Sequence, residues 1–140
     1  MNKYFTLNVL IVVATVSTFG FQSKQRSPAD VAQALVDAFN AHDVDAILKT
    51  YHPNSVAHRL PDGKAFLNGH ADLRKKFETI FQRNPTIKVE IVQRIVDGAF
   101  VIDKEKIIVV KDGKPIEDFG IVIYEIRDGL IVNEWYPRSQ

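Results

Sequence analysis

Three Asp-Gly pairs, at 97–98, 112–113 and 128–129, separate four long runs rich in Ile and Val. Asp and Gly both tolerate the left-handed backbone of a tight turn, so such a pair between apolar runs selects a hairpin. Residues 86–96, 99–110, 115–126 and 130–136 are therefore predicted as four strands joined by three successive hairpins, an antiparallel meander. Ile107-Ile108-Val109-Val110 and Phe119-Gly120-Ile121-Val122-Ile123-Tyr124 are apolar at nearly every position instead of alternating. Strands of that kind are buried on both faces. One face covers the chain's own helices, and the other needs a cover that this chain does not supply. The simplest cover is a second copy, which predicts a homodimer through the outer sheet face.

The chain before the meander reads as helix. Ser27-Pro28-Ala29-Asp30 combines an N-cap serine, proline in the first turn and an acid at the positive end of the dipole. Val31, Leu35, Ala38, Phe39 and His42 then make one helical stripe. Asp43 caps a second helix with Val44, Ile47, Leu48 and Tyr51 on its apolar face, and Pro53 is expected to stop it. Ser55–Leu60 reads as a short strand, Pro61-Asp62-Gly63-Lys64 as a turn and Ala65-Phe66-Leu67 as the return. Asn68-Gly69-His70 leads into a third helix carrying Leu73, Phe77, Ile80 and Phe81, which ends at Asn84-Pro85. The order predicts an α+β fold in which a curved antiparallel sheet wraps three N-terminal helices around one pocket.

With 140 residues the chain is long enough for one domain with one core. Its formal net charge of +1 provides no field that would recruit nucleic acid or an anionic membrane. The absence of cysteine excludes thiol catalysis and Cys-based metal sites. Residues 1–22 have a positive start (Lys3), a short apolar run to Val16 and small residues at Ser17-Thr18-Phe19-Gly20, the parts of a secretory signal peptide. The alternative is a retained anchor helix, for which the run falls just short of the ~20 residues of a membrane span. The expected organisation is a signal peptide over 1–22, a linker over 23–27 and one domain over 28–138, exported and with no stable membrane insertion once the signal is removed.

Ala38-Phe39-Asn40-Ala41-His42-Asp43-Val44-Asp45, Tyr51-His52-Pro53-Asn54-Ser55-Val56, Asn68-Gly69-His70 and Tyr124-Glu125-Ile126-Arg127-Asp128-Gly129-Leu130-Ile131 before Trp135 resemble the nuclear transport factor two-like superfamily. The resemblance is to its SnoaL-like and ketosteroid isomerase-like branch and covers about Pro28 to Pro137. It implies a cone-shaped barrel whose open end admits a small apolar or aromatic molecule, without a cofactor. Fold in this superfamily does not fix function. The isomerase site it includes is a Tyr and a protonated Asp forming an oxyanion hole, with a second Asp as base. Those positions fall on Leu35, Val122 and Arg59 here, so the isomerase set is missing and steroid isomerisation by that mechanism is not expected.

Other polar residues are candidates for chemistry. Arg59 could hold a carboxylate or enolate oxygen, and His58 could act as a general base. As strand neighbours they point to opposite faces, so only one of them can face inward. Asp118 shares a face with Gly120, Val122 and Tyr124 and is a candidate acid near the cone mouth. Leu35, Phe39, Val122, Tyr124 and Trp135 are expected to line the pocket. Asp103 and Glu105 share one face of their strand, and Lys104 and Lys106 share the other. A two-residue loop at Asp97-Gly98 would leave Asp103 and Glu105 outside, near Arg94 and Glu90, as salt-bridged strand surface. A three-residue loop changes the partners, and a register slip swaps the faces. His42, His52, His58 and His70 lack metal-ligand spacing, so no metal is expected. Two functional classes remain: an acid–base enzyme catalysing isomerisation, cyclisation or hydration, and a binding or accessory module with the same pocket.

Overall fold

A computed structural model describes residues 25–137. Residues 1–22, expected to be a signal peptide, lie outside the described residues. Helix α1 (Pro28–Asn40) opens on a capping box, with Ser27 and Asp30 each accepting from the other's backbone N–H. Helix α2 (Val44–Leu48) starts on Asp43, whose carboxylate accepts from the Ala46 N–H. It ends earlier than the apolar spacing suggested. Both the hydroxyl and the amide of Thr50 close on the Ile47 carbonyl, and the Thr50 carbonyl accepts from the Ile131 N–H. Tyr51 therefore begins strand β1 (Tyr51–Leu60) instead of finishing a helix. Pro53 stops nothing. It sits in the stretch between Tyr51 and Val56 where β1 has no regular partner, the position in a sheet that proline tolerates.

Strand β2 (Lys64–Asn68) returns along β1, and helix α3 (Gly69–Arg83) follows without a gap. Gly69 has φ +74°, and a Cβ there would stand 2.8 Å from the Pro53 carbonyl oxygen. Only glycine fits that corner. Strands β3 (Lys88–Asp97), β4 (Phe100–Lys111), β5 (Lys114–Arg127) and β6 (Leu130–Pro137) form the predicted meander. Asp112-Gly113 and Asp128-Gly129 are two-residue loops with positive φ at both positions, the primed turn that matches strand twist. The sheet order is β2-β1-β6-β5-β4-β3. One pair departs from the antiparallel expectation: β1 runs parallel to β6.

Irregular register in β1 at Ala57/His58, in β3 around Val92 and between β5 and β6 near Glu125/Ile126 bends the sheet over the helices. The bulge at Val92 also decides orientation. Val89 is buried before it and Arg94 is turned inward after it, so the inward residues change from odd to even numbers. Across the ladder Asp103 meets Arg94 and is 0% exposed, which decides the inward face of β4 against the alternative that left Asp103 and Glu105 outside. Arg94 grips both oxygens of Asp103 at 2.7 Å and donates onward to Gln33 Oε1 (3.1 Å) and the Ala29 carbonyl (3.4 Å). That guanidinium ties the concave side of the sheet to the first turns of α1. At the other end of α1 the Asn40 amide both donates to and accepts from the Val89 backbone at 2.8 Å, as a strand neighbour would.

The core between sheet and helices holds Val31, Leu35, Ile47, Tyr51, Leu73, Phe77, Val101, Val122, Tyr124 and Ile131. Phe39, Phe77 and Phe81 pack as an aromatic triangle with centroids 5.1–6.3 Å apart. His42 stacks on Phe81 and bonds the Ile87 carbonyl at 2.8 Å, while His70 bonds the Tyr51 carbonyl at 3.0 Å. These two histidines join elements of the fold.

Candidate functional site

The helices do not fill the concave side of the sheet. A cavity of about 230 Å³ remains between α1, α3 and strands β3–β6. Leu35, Val36 and Phe39 of α1, Phe77 and Ile80 of α3, and Ile87, Val89 and Ile107 make its apolar wall. Tyr51, Lys76, Asn84, Glu105, Tyr124, Glu134 and Tyr136 supply the polar groups. A few polar side chains converging in an otherwise apolar hollow is the usual form of a small-molecule site.

Tyr124 and Glu134 are cross-strand neighbours on β5 and β6, and Tyr136 follows two residues along the same face. Glu134 is 2% exposed and accepts from the Tyr51 hydroxyl at one oxygen and from the Tyr136 hydroxyl at the other (3.1 Å). Lys76 Nζ donates to the Tyr136 oxygen at 2.7 Å and lies over the Tyr136 and Phe77 rings at 4.6 and 4.9 Å. Tyr124 donates to Glu105 Oε1 at 3.4 Å. Gly120 stands opposite Glu105 on β5, so no side chain faces it from that strand, while Ile91 is its partner on β3.

The electrostatics follow from burial. Desolvation, reinforced by the charges of Asp103 and Glu134, raises the Glu105 carboxyl from its ordinary 4.5 to about 7, against the opposing pull of Tyr124 and Lys76. Burial also lowers the Lys76 ammonium, with Glu134 and Glu105 resisting. It pushes the phenols of Tyr51, Tyr124 and Tyr136 well up, and the neighbouring carboxylates add to the effect. The tyrosines are therefore neutral donors, and Glu105 titrates where a proton-transfer group is most effective.

The structure distributes the predicted site residues unevenly. Leu35, Phe39 and Tyr124 line the cavity. Val122 is buried in the core on the same face but is not a lining residue. Trp135 lies one position out of phase with Glu134 and Tyr136, so it faces the convex side, stacked on His58 at 5.6 Å and tilted against Phe100. His58 points the same way and meets Asn133 Oδ1 and the Gly63 carbonyl. Arg59 is exposed near the sheet edge with its guanidinium 4.6 Å from the Phe66 ring, and does not line the cavity. Asp118 is exposed, lies beyond the covered part of β5, and accepts from the Phe119 N–H. Arg59, His58 and Asp118 are not brought together. Among the described residues no three His, Asp or Glu side chains converge as a metal site.

The residues missed were Lys76, Glu134, Tyr136 and the role of Tyr51. One signal was present: Lys76 lies three residues after Leu73 and four before Ile80, a lone charge within the apolar stripe of α3. Glu134 had no such mark, because the irregular step between β5 and β6 puts Ile131 and Glu134 on one face.

A cone of α+β architecture with a polar cluster at the base of an apolar cavity defines the class. Residues 32–134 match the model of the SnoaL-like domain family. The chain belongs to that family, and through it to the nuclear transport factor two-like superfamily. Its fold is similar to that of an uncharacterized cystatin-fold protein from Novosphingobium aromaticivorans, at 21% identity over 81% of this chain and 99% of that one, TM-score 0.70. It is also similar to IdmH from Streptomyces antibioticus, provisionally assigned as a polyketide cyclase, at 18% identity over 79% and 90% of the two chains, TM-score 0.67. A Bacillus cereus protein with the same provisional assignment is 25% identical over 77% of this chain and 71% of that one, TM-score 0.66. No curated protein matches the sequence.

Proposed function

We propose that this chain is a cofactor-independent acid–base catalyst acting on a small, mostly apolar carbonyl compound, with Glu105 as the group that removes and returns a proton. The observation that carries the reading is the Glu105 carboxyl, in an apolar cavity, beside Tyr124 and with its pKa near neutrality. Lys76 has N–H groups to offer the substrate oxygen, and the neutral Tyr51 and Tyr136 hold Glu134 behind it. Proton removal next to a carbonyl, followed by return elsewhere or by ring closure, fits the provisional cyclase assignment of two similar structures. The cavity lies just below the ~300–1,000 Å³ usual for drug-sized ligands, which favours a compact occupant.

The test is solvent exchange. Cyclohexanone, acetophenone and β-tetralone, incubated with the protein in deuterium oxide, are expected to gain deuterium beside the carbonyl faster than in buffer. Exchange at the buffer rate for all three would overturn the reading.

The dimer belongs to the same proposal. Ile95, Phe100, Val110, Phe119 and Ile121 are each between 43% and 50% exposed, on the convex side or its margin. Lys104 and the ion pairs of Lys106 with Glu90 and Glu117 are interleaved with these apolar side chains. Exposed apolar residues in such number favour a docking surface, and a second copy covers it most simply. The solution mass is expected to be that of two chains, and Ile121→Glu is expected to halve it; a monomeric wild type counts against the interface. Residues 1–22 are inferred to direct export, so the N-terminus of secreted material, read by mass spectrometry, is expected near residue 23. Recovery of the intact N-terminus on exported protein would refute the cleavage.

A further inference from the structure

We propose that Lys76 is a covalent catalyst: its amine condenses with the substrate carbonyl to form a Schiff base inside the cavity. This rests on the carbonyl-substrate reading above and takes it one step further. Four observations converge on this side chain.

The first is place. Lys76 lines the cavity although it belongs to the apolar stripe of α3, where a lysine has no packing advantage over leucine. The second is partnership. Its Nζ meets a neutral hydroxyl, Tyr136, and two aromatic faces, but makes no ion pair with any carboxylate among the described residues. Other lysines and arginines of the chain, such as Arg94, Lys106 and Arg127, do form such pairs. The third is charge state. Burial favours the unprotonated amine, the form that attacks a carbonyl. The fourth is the company it keeps: Glu105 and Glu134 both act on it electrostatically, and Glu105 exchanges protons near neutral pH.

The chemistry balances without any added reagent. The Nζ lone pair forms a bond to the carbonyl carbon while the C=O π pair moves onto oxygen. A proton passes from nitrogen to that oxygen, giving a neutral carbinolamine. Protonated Glu105 donates to the hydroxyl, which leaves as water, and the nitrogen lone pair closes the C=N bond to give a protonated iminium. Glu105 is then a carboxylate, the form needed to take a proton from the adjacent carbon and produce an enamine. The iminium withdraws electrons far more strongly than the parent carbonyl, so a carboxylate of modest basicity suffices for that removal. Hydrolysis reverses the sequence and frees the amine.

The test is reductive trapping on the full-length protein. Benzaldehyde and cyclohexanone are the probes, with sodium borohydride added at neutral pH and the adduct located by peptide mapping. The expected result is a single dominant adduct on Lys76, formed before exposed lysines such as Lys75 and Lys49 are labelled, and lost in Lys76→Met. Labelling spread over exposed lysines, with none concentrated on Lys76, overturns the proposal. Because the wild-type map is itself decisive, a poorly folded Lys76→Met does not blunt the test. The two proposals also fail separately. Deuterium exchange without trapping at Lys76 leaves Glu105 acting on the free carbonyl and sinks the Schiff base. Trapping at Lys76 without deuterium exchange keeps the covalent step and sinks the proton transfer.

Discussion

Replacing Arg94 with methionine is expected to cost about 3–5 kcal/mol of folding stability, the range for breaking a buried ion pair by removing one partner. The loss is large because of what stays behind. Asp103 is wholly shielded from solvent, and its two oxygens take their hydrogen bonds from Arg94. Without the guanidinium a carboxylate is left buried and unpaired, and α1 loses its tie to the sheet through Gln33 and Ala29. The double change Arg94→Met with Asp103→Leu is expected to recover most of the loss, since apolar replacement of both members of a buried pair is often neutral. Denaturant midpoints for the two single variants and the double variant, at unchanged slope, provide the check. A single-variant loss below about 1 kcal/mol, the size of a surface pair, would show that water reaches the pair.

The other large effect concerns Glu105. Glu105→Gln keeps the shape and removes the titration, and is expected to slow deuterium exchange about 10²–10⁴-fold, the usual contribution of a positioned general base. In the wild type the rate should rise as pH passes about 7, where the carboxyl ionises. The same group predicts a stability signature that needs no substrate. Its folded value of about 7 lies above the ordinary 4.5, so between those limits the folded state binds more protons than the unfolded state. Stability therefore falls as pH climbs from about 4.5 to about 7, by roughly 3 kcal/mol, and then levels off. Glu105→Gln should erase that slope and leave the protein more stable than wild type at pH 8. Parallel pH–stability curves for the two proteins would falsify the placement of Glu105 in a dry cavity.

The elements of this fold were legible because their signals are local. The Ser27 box, the Asp43 cap and the Asp112-Gly113 and Asp128-Gly129 turns each act within a few residues, and the structure uses them where the sequence puts them. At 97–98 the loop moves on by one, to Gly98-Ala99, and Asp97 pairs with Phe100. The cavity side of the sheet was less legible, because one extra residue at Val92 and an irregular step near Ile126 change which residues face inward. A loop at Asp97-Gly98 with strict alternation would pair Ile95 with Phe100 and leave Asp103 and Glu105 outside, whereas the structure pairs Asp97 with Phe100 and Ile95 with Ile102. Tyr51 failed for another reason: its spacing fits a helix, and a strand partner eighty residues away takes it instead. Arg59 and His58 were sought on β1 where a related site would have them, whereas β1 contributes Tyr51 to this cavity and the other polar side chains come mainly from β4, β5, β6 and α3.

The cavity is divided by polarity, with α1 supplying Leu35, Val36 and Phe39 on one side and the carboxyls and phenols coming largely from the sheet. On the proposed function, a bound molecule is expected with its oxygen end toward the strands and its hydrocarbon toward α1. A single carboxyl fixed on β4 reaches a planar carbon in that pose from one side only. Under that reading, hydrogen delivered by it arrives on one prochiral face, and the expected product is one enantiomer in excess.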